Sequence, residues 1–316
     1  MRALVVEKQG DRGAVQNVPI PKPGDGEVLV RVTAAGLNPI DWKAIERNDH
    51  EHPMVVGQDF AGIVVATGDG ANEFRVNDRV FGIAREHGAF AEYTVVPEHD
   101  STQPIAKLPD DLADVHAAAL PTAGLTALAA LDALGVPKNG SLLILGVAGG
   151  VGGFAAQIAR VRGIHVVGTA HSHSDAYVRE LGVRDVIAYD REDVIAATRS
   201  LYPDGVDGLL DLVNGPDRSR DGARALKAGG TIVSTIGALD TEWFAQRKLH
   251  AVNLVMAETT RSSPESLSEL AHLVQERNLH VGLASVPPLE GATAALEESR
   301  GGRINGKIVV IVASSP

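Results

Sequence analysis

Residues 146–160 read GVAGGVGGFAAQIAR. Gly149, Gly150 and Gly152 crowd the point where the apolar run SLLILG gives way to an alanine-rich segment. Glycines at such a point let the backbone turn tightly and approach a ligand with no Cβ between them. A helix starting there presents free N–H groups and the positive end of its dipole, which suits a pyrophosphate. With Val151 between them, these glycines form the candidate phosphate loop. A strict G-x-G-x-x-G is not spelled, because Val147 stands where its first glycine belongs. The alternative is a turn that only packs strand on helix, but packing requires one glycine and this loop has several.

The next strand bears on which dinucleotide is bound. In folds that take NAD, an acidic residue near its end holds the ribose hydroxyls. Here the chain reads GTAHSHSD over residues 168–175, with Ala170 at about that place, followed by His171 and Ser172. This turn supplies no carboxylate against a 2′-phosphate, and imidazole and hydroxyl can donate to one, so the reading is NADP(H). Tyr189, ending the following strand, is placed to flank the adenine. The bland alternative for His171 and Ser172 is a solvated turn.

Other patterns carry less. GGRINGKI, residues 301–308, has phosphate-loop spacing, but Ile308 replaces the Mg²⁺-binding hydroxyl and a strand follows instead of a helix. HEH at His50–His52 and HSH at His171–His173 each lack a third ligand and sit in polar turns, so no metal site is expected.

The elements that must position the loop follow from periodicity. Up to Pro109 the chain shows short strands at close spacing with glycines between, the pattern of a small barrel-like β domain. Beyond it, apolar strands alternate with helices from SLLILG to TIVSTIG, and AVNLVMAE adds a sixth strand. Strands apolar throughout are covered on both faces. The fold class is α/β: a doubly wound parallel sheet plus a β-barrel domain.

Composition bounds the rest. The 316 residues carry a formal charge of −11 with a pI near 5.4, which disfavours nucleic acid and anionic membrane surfaces as partners. There is no cysteine, which removes disulfides, zinc–thiolate sites and thiol nucleophiles and fits a cytoplasmic protein. The N-terminal apolar run is too short for a signal peptide. Residues 142–159 carry no charge but include five glycines, so they are expected as strand, turn and helix, not as a membrane span.

AAGLNPIDWK (34–43), GQDFAGIVVATG (57–68), NDRVFG (77–82), LPTAGLTALAAL (120–131), GVAGGVGGFAAQIA (146–159) and NGKIVVIV (305–312) together resemble the zinc-independent quinone oxidoreductase branch of the medium-chain dehydrogenase/reductase superfamily. The resemblance spans nearly the whole chain, and that branch lacks the glycine at Val147. It implies a GroES-like domain over residues 1–121 and 259–316, a Rossmann domain over 122–258, and an active site in the cleft between them. It further implies cofactor contacts at Asn38, Thr126, Val213, Ile236 and Gly237, and a homodimer through an edge strand such as AVNLVMAE. Core burial is the alternative explanation for Val213 and Ile236. Asn38 and Gln58 stand where the zinc-dependent branch has metal ligands, with Asp59 in place of the following Glu.

Without a Lewis acid the acceptor must be electron-poor already: a quinone, or a C=C conjugated to a carbonyl. NADPH would supply hydride, and Asn38 is the candidate catalytic donor or orienter. Asp41 could cap local structure and Trp42 could fill core, and Trp42, Phe60 and Tyr93 are the available rings. No general acid stands out. Three readings remain open: a reductase of a small-molecule quinone acceptor, an enone or enoyl reductase, and a protein that holds NADPH without turnover.

Overall fold

The computed structural model describes residues 1–46, 52–86, 88–237 and 239–313. The chain divides into two compact units: Met1–Leu125 with Ser262–Arg277 and Val281–Pro316, and Thr126–Arg261 with Asn278–His280.

The first unit begins with β1 (Arg2–Val6), β2 (Ala14–Asn17), β3 (Glu27–Leu37), α1 (Pro39–Glu46), β4 (Met54–Val55), β5 (Asp59–Thr67), β6 (Arg79–Ile83), β7 (Tyr93–Pro97), β8 (Ile105–Lys107) and α2 (Asp114–Ala118). Helix α3 (Pro121–Leu134) follows. The unit is organised around β3, which is long enough to take three partners. One edge pairs with β7 at Glu27–Arg31 and further along with the C-terminal strand of the chain, while the other edge pairs with β5 from Val28 to Gly36. Register shifts between Leu29 and Val30 and between Val32 and Ala34 bend the strand, which lets the sheet curl around its own core. Val28, Val30, Val32, Phe60, Val64, Val80 and Phe90 are buried there.

The second unit is built on β9 (Ser141–Leu145), α4 (Gly150–Val161), β10 (His165–Ala170), α5 (Asp175–Glu180), β11 (Asp185–Ala188), α6 (Val194–Leu201), β12 (Val206–Asp211), α7 (Pro216–Gly222), β13 (Leu226–Ser234), α8 (Thr241–Ala245) and β14 (His250–Asn253). The six strands are parallel, in the order β11-β10-β9-β12-β13-β14. The chain winds outward from β9 to β11 and then out the other way from β12 to β14. Right-handed crossovers therefore place helices on both faces, with the switch point between β9 and β12. All five residues of β9 are buried, as its apolar sequence predicts.

Helices α9 (Pro264–Gln275) and α10 (Ala292–Arg300) and strands β15 (Leu283–Ser285) and β16 (Lys307–Ile311) return to the first unit, where β16 pairs antiparallel with β3. The uncharged run at 142–159 divides into β9 and α4, and among the described residues no helix is long and apolar enough to cross a membrane.

Candidate functional site

The glycine loop is tied to its neighbours by backbone contacts. After β9, Gly146 turns with φ +87°, a left-handed conformation suited to glycine. Its N–H donates to Thr169 Oγ1 at 3.1 Å, and Val147 N–H donates to Thr169 O at 3.1 Å. Val147 is fully buried against Gly168 of β10, where a Cβ would stand 2.6 Å from Val147 Cγ1. The bulk in the loop is thus matched by a glycine in the adjacent strand.

Helix α4 opens at Gly150, so Gly150, Val151 and Gly152 are its first three residues and Gly149 is its uncapped N-cap. The first helical bond runs from Gly153 N–H to Gly149 O at 2.8 Å. The three preceding N–H groups lie outside the helical ladder and suit an anion such as a pyrophosphate. The glycines are not equivalent. A Cβ on Gly152 would lie 2.4 Å from Gly146 O, so close packing by itself requires that glycine. A Cβ on Gly149 would meet only Gly146 O, at 3.6 Å. The packing alternative therefore holds for Gly152 and fails for Gly149.

Tyr189, Val213 and Ile236 follow β11, β12 and β13 at their C-terminal ends, and their exposures are 53%, 59% and 43%. Core burial, the alternative offered for Val213 and Ile236, is overturned by these exposures. An open α/β sheet takes its ligands outside the C-terminal ends of its strands, and apolar side chains left open there suit rings. Val213 covers the glycine loop: a Cβ on Gly146 would meet Val213 Cγ1 at 2.7 Å. The turn carrying Val213 is held by buried Asp211, whose Oδ1 accepts the N–H groups of Val213 at 3.2 Å and Asn214 at 3.0 Å. Gly237 has φ +70° and open space on its Cβ side. Thr126 is buried in α3.

The turn after β10 differs from expectation. Ala170 is only 2% exposed, so it is not the place from which an acidic side chain would face a ribose. A carboxylate does face the turn, from the adjacent strand end. Asp190 Oδ1 accepts the Ser172 N–H at 2.7 Å, and its Oδ2 accepts the Ser172 hydroxyl at 2.8 Å. The same Oδ2 stands 3.7 Å from His171 Nδ1. Burial raises the pKa of Asp190, but the hydrogen bonds from Ser172 outweigh it and hold the carboxyl below its usual range. The rings of His171 and His173 lie 4.1 Å apart. Of the other His pair, His50 lies outside the described residues.

Asn38 belongs to a buried polar cluster in the first unit. Its amide nitrogen donates to Asp59 Oδ2 at 2.9 Å, and its amide oxygen accepts from Lys307 Nζ. Lys307 also donates to Leu37 O at 2.8 Å. Asp59 further accepts the Thr122 hydroxyl at 2.5 Å and its N–H at 3.1 Å. Exposures of Asn38, Asp41, Asp59 and Lys307 are 3%, 1%, 0% and 4%. Asp41 Oδ2 accepts the Asn38 N–H at 2.7 Å, a carboxylate in the first turn of α1 reaching back to the residue before it. Burial pushes Asp41 up to about 8. Burial also raises Asp59 against the pull of Lys307, and lowers Lys307 against the pull of Asp59 and Asp41. At neutral pH Asp41 is thus protonated, and Lys307 and Asp59 act on each other from the two ends of the Asn38 amide.

Lys307 is the lysine of the rejected phosphate-loop pattern. Its buried position on β16 came from strand pairing with β3, and its polar type within an apolar strand was the only signal in the sequence. Trp42 is partly buried against the core and Phe60 is fully buried, so Phe60 offers no open ring. Among the described residues, no three His, Asp or Glu side chains form a group able to hold a metal ion.

Comparison with known proteins places these features among relatives. The model of the alcohol dehydrogenase GroES-like domain matches residues 24–110, and that described as zinc-binding dehydrogenase matches residues 181–310. A chloroplast envelope quinone oxidoreductase homolog of Arabidopsis thaliana is 30% identical over 93% of this chain and 92% of its own. The structure of the quinone oxidoreductase from Coxiella burnetii superposes with a TM-score of 0.89 at 31% identity, covering 99% of each chain. A mycobacterial protein complexed with NADPH superposes with a TM-score of 0.88 at 26% identity, covering 99% of this chain and 100% of its own.

Proposed function

The chain belongs to the medium-chain dehydrogenase/reductase superfamily, in its quinone oxidoreductase branch, and on that premise we propose that it is an NADPH-dependent oxidoreductase acting on a quinone. The observation that carries the reading is the C-terminal edge of the parallel sheet. There an uncapped helix start adjoins a glycine loop, and three apolar side chains stand open at successive strand ends. The quinone oxidoreductase names of the Arabidopsis and Coxiella relatives and the NADPH held by the mycobacterial one support it.

In this reading the N–H groups of Gly150, Val151 and Gly152 hold the pyrophosphate, with Gly149 leaving room for it. Tyr189 flanks the adenine, and His171 and Ser172 border its ribose. Val213, Ile236, Gly237 and Thr126 contact the nicotinamide half. Bound there, NADPH supplies the hydride. The chain's own part is to orient the acceptor and to stabilise the charge that develops on its oxygen. Asn38 is the donor assigned to that oxygen. One of its two amide hydrogens is committed to Asp59, and the other is the one assigned to the acceptor. Lys307, pulling on the amide oxygen, strengthens that donor. Loss of one such donor costs about 3 kcal/mol in a comparable site. A smaller loss is expected for Asn38→Ala, since backbone groups share the load.

The reading includes a cytoplasmic homodimer joined through β14, which ends the parallel sheet. Light scattering on the purified protein tests the dimer, and a monomer would remove that part.

The activity is tested by NADPH oxidation with a panel of quinones, enones and saturated carbonyls, using cofactor deuterated at C4. Quinone turnover that leaves no carbon-bound label supports the proposal. Label on the β-carbon of a reduced enone moves the activity to double-bond reduction. Efficient oxidation of simple secondary alcohols with both conjugated classes inert overturns it.

A further inference from the structure

Strands β10 and β11 run parallel with Ala170 opposite Ala188, so the turns that follow them lie side by side. This brings Asp190 against Ser172, although the two are eighteen positions apart. A serine hydroxyl has one hydrogen to give. In Ser172 that hydrogen points to Asp190 Oδ2 at 2.8 Å, and the backbone N–H of the same residue is taken by Asp190 Oδ1 at 2.7 Å. Both donors that Ser172 could offer a phosphate oxygen are therefore committed. Toward a cofactor the hydroxyl presents lone pairs, which accept from a ribose 2′-hydroxyl but repel an unprotonated phosphate. The carboxylate adds a negative charge to the same turn. Beside it stand His171 Nδ1 at 3.7 Å and Arg191 Nε at 3.8 Å, and the Arg191 side chain is largely in solvent.

We infer that Asp190 is a specificity-determining residue of the cofactor site: by clasping Ser172 it withdraws donors from the 2′-phosphate and narrows the preference for NADPH over NADH. The inference rests on the nicotinamide-cofactor reading of the loop and extends it to the selectivity of this chain. The determinant lies just past the third strand in chain order of the parallel sheet, not at the end of the second, where an acidic residue is ordinarily sought.

The test is direct titration of the purified protein with NADPH and with NADH, before and after Asp190→Ala. A surface charge within about 5 Å of a phosphate is worth on the order of tenfold in affinity. Asp190→Ala is expected to tighten NADPH by about that factor while NADH changes less than about threefold. Asp190→Asn, which keeps the shape but loses the charge, is expected to move NADPH in the same direction and serves if the alanine variant is unstable. An unchanged ratio of the two dissociation constants, or weaker NADPH binding in both variants, overturns the inference. Failure of the unaltered protein to bind either cofactor would instead sink the underlying reading, so the two failures are distinguishable.

Discussion

Lys307 donates its ammonium to the side-chain oxygen of Asn38, and the two are buried together beneath the end of β3. The contact fixes the amide: oxygen toward the cation, nitrogen toward Asp59. The donor to that amide oxygen is a lysine of the chain itself.

Removing that cation alone is expected to be expensive. Lys307→Met leaves Asp59 buried without its counter-charge, and breaking a buried pair in this way costs about 3–5 kcal/mol. Adding Asp59→Asn to the same chain should restore much of the loss, since the amide oxygen still accepts from Thr122 and no bare charge remains. Urea unfolding of the two single variants and the double variant measures the coupling. Strictly additive losses would contradict it.

Asp41 gives a pH signature. Its ordinary value is 3.8 and its folded value about 8, so the folded state binds a proton that the unfolded state has released between those limits. Stability contributed by the protonated form is full below about pH 4, and it is lost as the pH rises through 8. Asp41→Asn cannot titrate. Relative to that variant, the wild type should lose on the order of several kcal/mol between pH 4 and pH 8, with no further change above. Parallel stability profiles for the two proteins over this range would exclude the assignment.

The loop glycines should separate folding from binding. Gly152→Val forces a side chain into the Gly146 backbone and should lower the melting temperature sharply. Gly149→Ala meets no close protein atom, so its melting temperature should stay near that of the wild type, while NADPH affinity falls severalfold. Normal NADPH binding by Gly149→Ala would show that the loop keeps its distance from the cofactor.

The exposed apolar pair offers a complementary check. Val213→Ser and Ile236→Ser remove side chains that the fold does not bury, so stability should change by no more than about 0.5 kcal/mol. Both variants should weaken NADPH binding and raise its KM, measured by fluorescence titration and initial rates. A large drop in stability with unaltered affinity would return these residues to a structural role.

Activity should also survive exhaustive chelation, because the amide of Asn38 is engaged by Lys307 and Asp59 and is not arranged as a metal ligand. Turnover lost with EDTA and regained with zinc would refute this.

Much of this molecule was legible from local pattern alone. Apolar strands alternating with helices specify a parallel sheet because both faces must be covered. Glycines between β9 and α4 specify a tight turn at a helix start because only there is the missing Cβ useful. That Asn38 and Gln58 stand where a zinc-dependent branch has metal ligands is what the resemblance to a known family implies. What pattern could not supply was any partnership between residues far apart in the chain. Lys307 meets Asn38 only because β16 pairs with β3, and Asp59 meets Thr122 only where β5 lies near the start of α3. Asp190 reaches Ser172 only because β10 and β11 are adjacent, and that contact brings to the turn a carboxylate that its own sequence lacks. Periodicity reports which face of an element is buried, since burial repeats with the helix or strand. Hydrogen bonds and charge pairs depend on distances of about 3 Å between side chains on different elements, and those distances exist only once the sheets have closed.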